Sequence, residues 1–284
     1  RCDVFQGCFL WSSLCGGTGS GLGSRLVEEL RDDYPRRCIL SSMVAPFSRG
    51  ELPLQHYNTM LCINSHQKAS DGIILFQNDM VLKVLESSSP DRNPNLGFQD
   101  INQCIAQTLD DLISPSLSPH RRSRAVTRFF KSVSARVSEK RLRGFEMREF
   151  VGSVCPLPSA KLVELWSSKG LRVLDKNKTS ITWGGEIEML LKATRNTDSR
   201  QRSCLGYQLQ LTGPPHALRK FKPQQSMSSI TRRLKCVKWN PYPGDLKLIS
   251  RPVSREGRNQ TGLLSVNRTA LAGYLEGVKK KAED

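Results

Sequence analysis

The sequence has no C-x-x-C pair among its nine cysteines, no apolar stretch approaching the roughly 18 residues of a membrane span, and no initiator methionine. The missing long apolar run excludes a helical membrane-spanning function. The cysteines, at positions 2, 8, 15, 38, 62, 104, 155, 204 and 236, are odd in number and scattered. That distribution disfavours a disulfide framework and a zinc site and fits reduced thiols. The opening Arg1-Cys2-Asp3-Val4-Phe5 reads as a truncation, and Cys8–Cys15 is too polar-flanked for a signal peptide. Sequons at Asn177, Asn259 and Asn267 have no other sign of secretion behind them.

Acidic residues are scarce in one part only. Residues 1–100 carry nine basic and eleven acidic side chains, whereas 101–284 carry 34 and 15, which together give the net charge of +17. With 284 residues and 38% apolar composition, the chain can bury one large or two ordinary cores, so wholesale disorder is excluded. The densest charge lies in His120–Arg143, with nine Lys or Arg and one acid, Glu139, around Phe129 and Phe130. Such a segment is either a solvated insertion or a contact for an acidic partner; no nucleic-acid motif accompanies it.

Hydrophobic patterning predicts a strand over 4–14 that is apolar on both faces, a helix over Leu22–Asp33 stopped by Pro35, and a strand over Cys38–Val44. A helix around Gln55–Ser65 and a strand over Gly72–Phe76 follow. This alternation implies a parallel α/β sheet. Ile101, Cys104, Ile105, Leu109 and Leu112 recur at helical spacing, so Asp100–Ile113 reads as an amphipathic helix with one core-facing stripe. Beyond the Pro156-x-Pro158 break, the reading is α+β. It comprises strands over Lys161–Trp166, Gly206–Thr212, Leu234–Trp239 and Gly262–Val266, a helix near Glu186–Ala193, and another from Thr269 to about Lys281.

Between the first strand and helix runs Gly16-Gly17-Thr18-Gly19-Ser20-Gly21. Glycines at such a turn expose backbone N–H groups beside the positive end of a helix dipole, a geometry that binds phosphate, and the hydroxyls of Thr18 and Ser20 add donors. The run is not a Walker A loop, since no Lys-Ser/Thr follows, nor a strict G-x-G-x-x-G fingerprint. A tight turn needing glycine for its backbone alone is the competing reading.

The segment Ser12-Ser13-Leu14-Cys15-Gly16-Gly17-Thr18-Gly19-Ser20-Gly21 closely resembles the tubulin signature Gly-Gly-Gly-Thr-Gly-Ser-Gly, with Cys15 where the family has its first glycine. The resemblance continues through Gln6-Gly7, Leu30-Arg31-Asp32-Asp33-Tyr34-Pro35, Tyr57-Asn58, Gln77-Asn78-Asp79 and Asp100-Ile101-Asn102. It implies a Rossmann-like parallel-sheet GTPase domain joined by a core helix to an α+β intermediate domain. The expected divisions are 1–99 for the C-terminal part of the nucleotide-binding domain, 100–145 for the connecting helix and basic insertion, and 146–284 for an incomplete intermediate-type domain.

Carried over by position, the resemblance assigns Ser13, Gly16, Gly17, Thr18, Gly19 and Ser20 to the phosphates of GTP and Glu51 to the ribose side. It assigns Asn78 and Asn102 to guanine, and Phe98, where the family has a tyrosine, to stacking on the base. Taken singly, each asparagine is a helix cap or turn residue. Gln55 departs from a common glutamate. The stretch Arg141-x-x-Gly144-x-Glu146-x-x-Glu149 is similar to the loop that one tubulin presents to its neighbour's nucleotide, which implies a catalytic role in trans for Glu149. Either that residue orients the attacking water across an interface, or it is a solvated helix glutamate.

The departures at Cys15, Gln55 and the basic insertion are similar to those of minor tubulins of the delta, epsilon or zeta type; the pattern around Phe98–Asn102 resembles delta and zeta forms, of which zeta is favoured. Such proteins are subunits of microtubules or of centriole and basal-body structures in the cytoplasm and cytoskeleton. Their partners are other tubulin subunits, with no membrane and no nucleic acid expected. The resemblance places the Mg2+ ligands, and part of the phosphate site, upstream of Arg1. The expectation is therefore that this stretch alone binds GTP poorly. The alternatives are a non-catalytic tubulin-like interaction protein and, disfavoured by the missing fingerprint, a dinucleotide oxidoreductase.

Overall fold

The computed structural model describes residues 5–48, 54–88, 96–117, 145–172, 182–195, 203–250 and 260–283. Glu51, Asn177, Asn259 and the basic segment 120–143 lie outside the described residues.

The expected alternation forms the first layer. Strand β1 (Gly7–Ser13), helix α1 (Gly23–Asp33), β2 (Cys38–Ala45), α2 (Gln55–Ala69) and β3 (Gly72–Gln77) follow one another in order. All three strands are parallel, with Gly7 opposite Cys38 and Leu40 opposite Gly72. Side chains alternate across the sheet as the two-residue strand period requires. On β3, Ile74 and Phe76 join the core under one set of helices, while Ile73 and Leu75 join the other. Each such fully buried side chain contributes about 1.5–3 kcal/mol.

The expectation that residues 4–14 are buried on both faces needs correction. Strand β1 is the edge of the sheet, most of its residues are only half-buried, and Trp11 is 61% exposed.

Helices α3 (Asn78–Ser88) and α4 (Phe98–Leu117) follow β3. The predicted stripe of α4 is buried at every position, from Ile101 to Leu112. This helix binds the two halves together. Ser167 Oγ donates to Asp111 Oδ2, and Gln210 Nε2 donates to the Asp111 carbonyl at 2.8 Å.

The second half supplies α5 (Met147–Val154), β4 (Leu162–Ser167), α6 (Ser168–Leu171), α7 (Trp183–Arg195), β5 (Cys204–Gly213), α8 (Pro215–Leu218), α9 (Pro223–Arg233), β6 (Gly244–Ser250), β7 (Thr261–Arg268) and α10 (Ala270–Glu283). The sheet is continuous and mostly parallel, in the order β1-β2-β3-β4-β7-β5-β6, and among the described strands only β7 runs antiparallel to its neighbours. Helix α10 returns to the first half and packs on α2, with Leu271 in the same core as Leu14, Met43 and Ile63.

One sequence expectation fails here, and the sequon reading gains a structural reason. Leu234–Trp239 is not a strand: Leu234 caps α9, Lys235 is left-handed (φ 52°), and Cys236 makes only an isolated bridge to Cys204. The Asn267 sequon is inside the fold, 2% exposed, with Nδ2 donating to the Ala160 carbonyl at 2.6 Å.

Candidate functional site

The glycine run stands at the carboxyl end of β1, the edge at which open α/β sheets bind ligands. It winds as one wide π-helical turn over Gly17–Leu22 before α1 begins. Three bonds close the loop: Ser20 N and Oγ both donate to the Gly16 carbonyl, at 2.8 and 2.7 Å, and Asn58 Nδ2 reaches from α2 to the Cys15 carbonyl at 3.0 Å. Ser20 is thus turned inward and buried, while Gly17 and Thr18 are exposed.

The glycines serve different ends. A Cβ on Gly16, Gly17 or Gly21 would meet nothing within 4 Å, which leaves their surface open to a ligand. A Cβ on Gly19 would lie 2.7 Å from the Ser13 carbonyl oxygen and 2.9 Å from its nitrogen, so this glycine lets the loop close onto the end of β1.

A cavity of about 620 Å³ opens between the β1–β2 edge and α4, lined by Trp11, Ser12, Ser13, Val44, Asn102 and Ile105 among others. Ser13 and Asn102, expected at opposite ends of a nucleotide, therefore face one space of a size usual for such ligands. Phe98, 63% exposed at the start of α4, stands edge-on to Phe47, with centroids 5.4 Å apart. Asn78, at the carboxyl end of β3, is 8% exposed and does not line this cavity.

Gln55 is buried, with Nε2 donating to the Phe47 carbonyl at 3.2 Å. It steadies the loop that carries Phe47. Lys281, from α10, donates to the Ser48 carbonyl at 2.8 Å and brings a positive charge to that loop. The imidazole of His56 is held below its ordinary pKa, first by desolvation and then by Lys281.

Residues 1–86 match the model of the Tubulin/FtsZ family, GTPase domain. The matched stretch holds the glycine loop and the first three strands. The chain is 26% identical over 190 residues to the tubulin delta chain of Homo sapiens, covering 67% of this chain and 38% of that one. It is 38% identical over 110 residues to the tubulin gamma chain of Saccharomyces cerevisiae, covering 39% and 23%. With the tubulin alpha-4 chain of Drosophila melanogaster the identity is 33% over 108 residues, covering 38% and 23%. The chain spans well under half the length of each of these tubulins.

The tubulin-like interface segment lies elsewhere. Helix α5 packs at the amino ends of the strands: Val151 Cγ2 lies 3.1 Å from the Cβ position of Gly72, and Arg148 donates to the Arg36 carbonyl just before β2. Glu149 is therefore separated from the glycine loop by the length of a seven-residue strand, about 20 Å. Its Oε2 accepts from Lys247 Nζ at 3.3 Å. The structure does not bring Glu149 together with the other candidate residues.

Asn58 and Gln55 were missed as supports of the site, although both sit in the segment that carries the tubulin resemblance. Their signal was a pair of amide side chains opening a helix directly after a Pro-rich loop. No helix among the described residues is long and apolar enough to cross a membrane.

Proposed function

We propose that this chain is the nucleotide-binding and intermediate part of a divergent minor tubulin, a GTP-binding subunit of microtubules or of centriole and basal-body structures. The observation that carries this reading is the shared cavity of Ser13 and Asn102, beside an open glycine loop at the carboxyl edge of a parallel sheet. Phosphates would lie on the N–H groups of Gly16–Gly19 and the Thr18 hydroxyl. Guanine would meet the amides of Asn102 and Asn78 and stack on Phe98. Glu51 would take the ribose side.

The long match to a delta chain supports the delta, epsilon and zeta group and does not separate zeta from delta. The expected partners are other tubulin subunits, and the expected setting is the cytoskeleton of the cytoplasm. Mg2+ would neutralise the phosphates when bound with them. Among the described residues, no three Asp, Glu, His or Cys side chains stand together as a metal site.

Hydrolysis, in this reading, is completed by a neighbour. Glu149 is far from its own loop and can orient water only on another subunit's nucleotide. The ion pair with Lys247 favours a second reading, in which Glu149 is structural and the protein docks to microtubule or centriolar partners without turning over nucleotide.

Equilibrium dialysis of the full-length protein against GTP, ATP and NAD tests the first reading. Preference for GTP is the expected result; equal binding of ATP would end it. Assembly-dependent phosphate release then separates the GTPase from the docking protein.

A further inference from the structure

Helix α9 ends without a glycine. Lys235 takes the left-handed position, and Cys236 N donates to the Thr231 carbonyl at 3.3 Å, a 6→1 closure that turns the chain sharply back. The turn lays Cys236 alongside the first residue of β5. Cys204 N donates to the Lys235 carbonyl at 3.3 Å, and Val237 N donates to the Cys204 carbonyl at 3.0 Å. Cys204 and Cys236 are thus directly paired in a parallel bridge. Paired residues of neighbouring strands stand about 4.8 Å apart, inside the roughly 4.4–6.8 Å that a disulfide spans between Cα atoms.

The two thiols differ in access. Cys204 is fully buried, whereas Cys236 is half-buried and lines an open pocket of about 580 Å³ with Tyr207, Thr231, Arg232, Lys235 and Tyr242. Arg232 and Lys235 are exposed cations at its rim. Cys204 Sγ donates to the Gly206 carbonyl at 3.5 Å, and the closeness of the two sulfurs lowers the pKa of Cys236 and, with burial, raises that of Cys204. Cys236 is thus the accessible thiol of the pair and Cys204 the sheltered one, set side by side by the backbone bridge.

We propose that Cys236 and Cys204 form a reversible redox modification site, with Cys236 the residue that meets a small hydroperoxide and Cys204 the one that resolves it. The Cys236 thiolate attacks a peroxide oxygen; an S–O bond forms as the O–O bond breaks. The sulfur is oxidised to a sulfenic acid, and the peroxide is reduced to water or an alcohol by taking up a solvent proton. Cys204 sulfur then attacks Cys236 sulfur. The S–S bond forms, the S–O bond breaks, and the hydroxyl leaves as water with the Cys204 proton. The product ties the turn after α9, and with it exposed Trp239 and Tyr242, to the start of β5.

The test treats the reduced, folded chain with hydrogen peroxide, alkylates remaining thiols, and maps tryptic peptides by mass spectrometry. The expected result is one linked pair joining Ser203–Arg219 to Cys236–Lys238, lost on addition of dithiothreitol. Recovery of both peptides singly alkylated after peroxide would overturn the proposal. In Cys204→Ser, Cys236 should instead accumulate as a dimedone-reactive sulfenic acid. In Cys236→Ser, Cys204 should remain an unmodified thiol. Labelling of Cys204 by dimedone in that variant would reverse the assigned roles and refute the mechanism. Circular dichroism of each variant before oxidation confirms that the comparison is made on folded protein.

Discussion

Lys247 Nζ lies 3.3 Å from Glu149 Oε2, with the lysine side chain 2% exposed and the glutamate 23%. A buried ammonium has no water to stabilise it, so the carboxylate from α5 is its counter-ion. The residue proposed to orient water for a neighbouring subunit is thus also a residue that keeps β6 in the sheet. That structural role is the one the docking reading assigns to Glu149.

Removing the carboxylate should therefore destabilise the fold irrespective of catalysis. Glu149→Ala is expected to cost about 3 kcal/mol by leaving Lys247 uncompensated, and the double variant Glu149→Ala/Lys247→Met to regain much of that loss. Urea unfolding of the two single variants and the double variant measures the coupling. A Glu149→Ala variant as stable as the parent would show that the lysine finds another partner.

This pair also shows where the sequence stopped being legible. The strand Gly244–Ser250 was not predicted, because Lys247 in its centre reads as a solvated charge and Pro241-x-Pro243 before it reads as a loop. Helix α9 was missed because its surface is Gln, Ser and Arg with Ile230 its only buried residue among those described, and because a lysine takes the left-handed capping position where glycine is the usual signal. By contrast, β2, β3 and the stripe of α4 were plain, since their apolar periodicity is set by burial on known faces. The glycine loop was legible as a motif. That Gly19 is needed for close approach to Ser13, and that Asn58 ties the loop to α2, are tertiary facts without a local signature.

The glycines of the loop should respond differently to one added methyl. Gly19→Ala forces a Cβ to within 3 Å of the Ser13 backbone, which cannot move without unpairing β1, so a loss of roughly 1–3 kcal/mol is expected. Gly17→Ala meets nothing and should change stability by less than about 0.5 kcal/mol. Thermal denaturation of both distinguishes a packing requirement from a purely ligand-facing one. Equal effects would refute the assignment.

Asn102 is exposed on α4 and faces the cavity, so its amide is available to a base rather than held by the fold. Asn102→Ala in the full-length protein should leave the melting temperature nearly unchanged and weaken GTP binding about tenfold, the worth of one lost hydrogen bond of about 1.4 kcal/mol. Isothermal titration reads the affinity. Unchanged GTP affinity would remove Asn102 from the site.

His66 gives the fold a pH dependence of its own. It is fully buried on α2, with Nδ1 and Ser41 Oγ 2.8 Å apart and Ser41 Oγ 2.7 Å from Ser70 Oγ, and desolvation lowers its pKa to about 4, against a small opposing pull from Glu28. The fold holds the neutral imidazole, so between pH 6.5 and pH 4 it is the unfolded chain that binds the extra proton. Stability should then be fully present above pH 6.5 and fall as the pH drops through this window, by on the order of 3 kcal/mol at its lower end. Urea unfolding at pH 7 and pH 5 should show the loss in the parent and a shallower one in His66→Gln, which keeps a hydrogen-bonding group near Ser41 and has no proton to take up. An identical pH slope in the two proteins would mean that the imidazole charges without unfolding the helix around it.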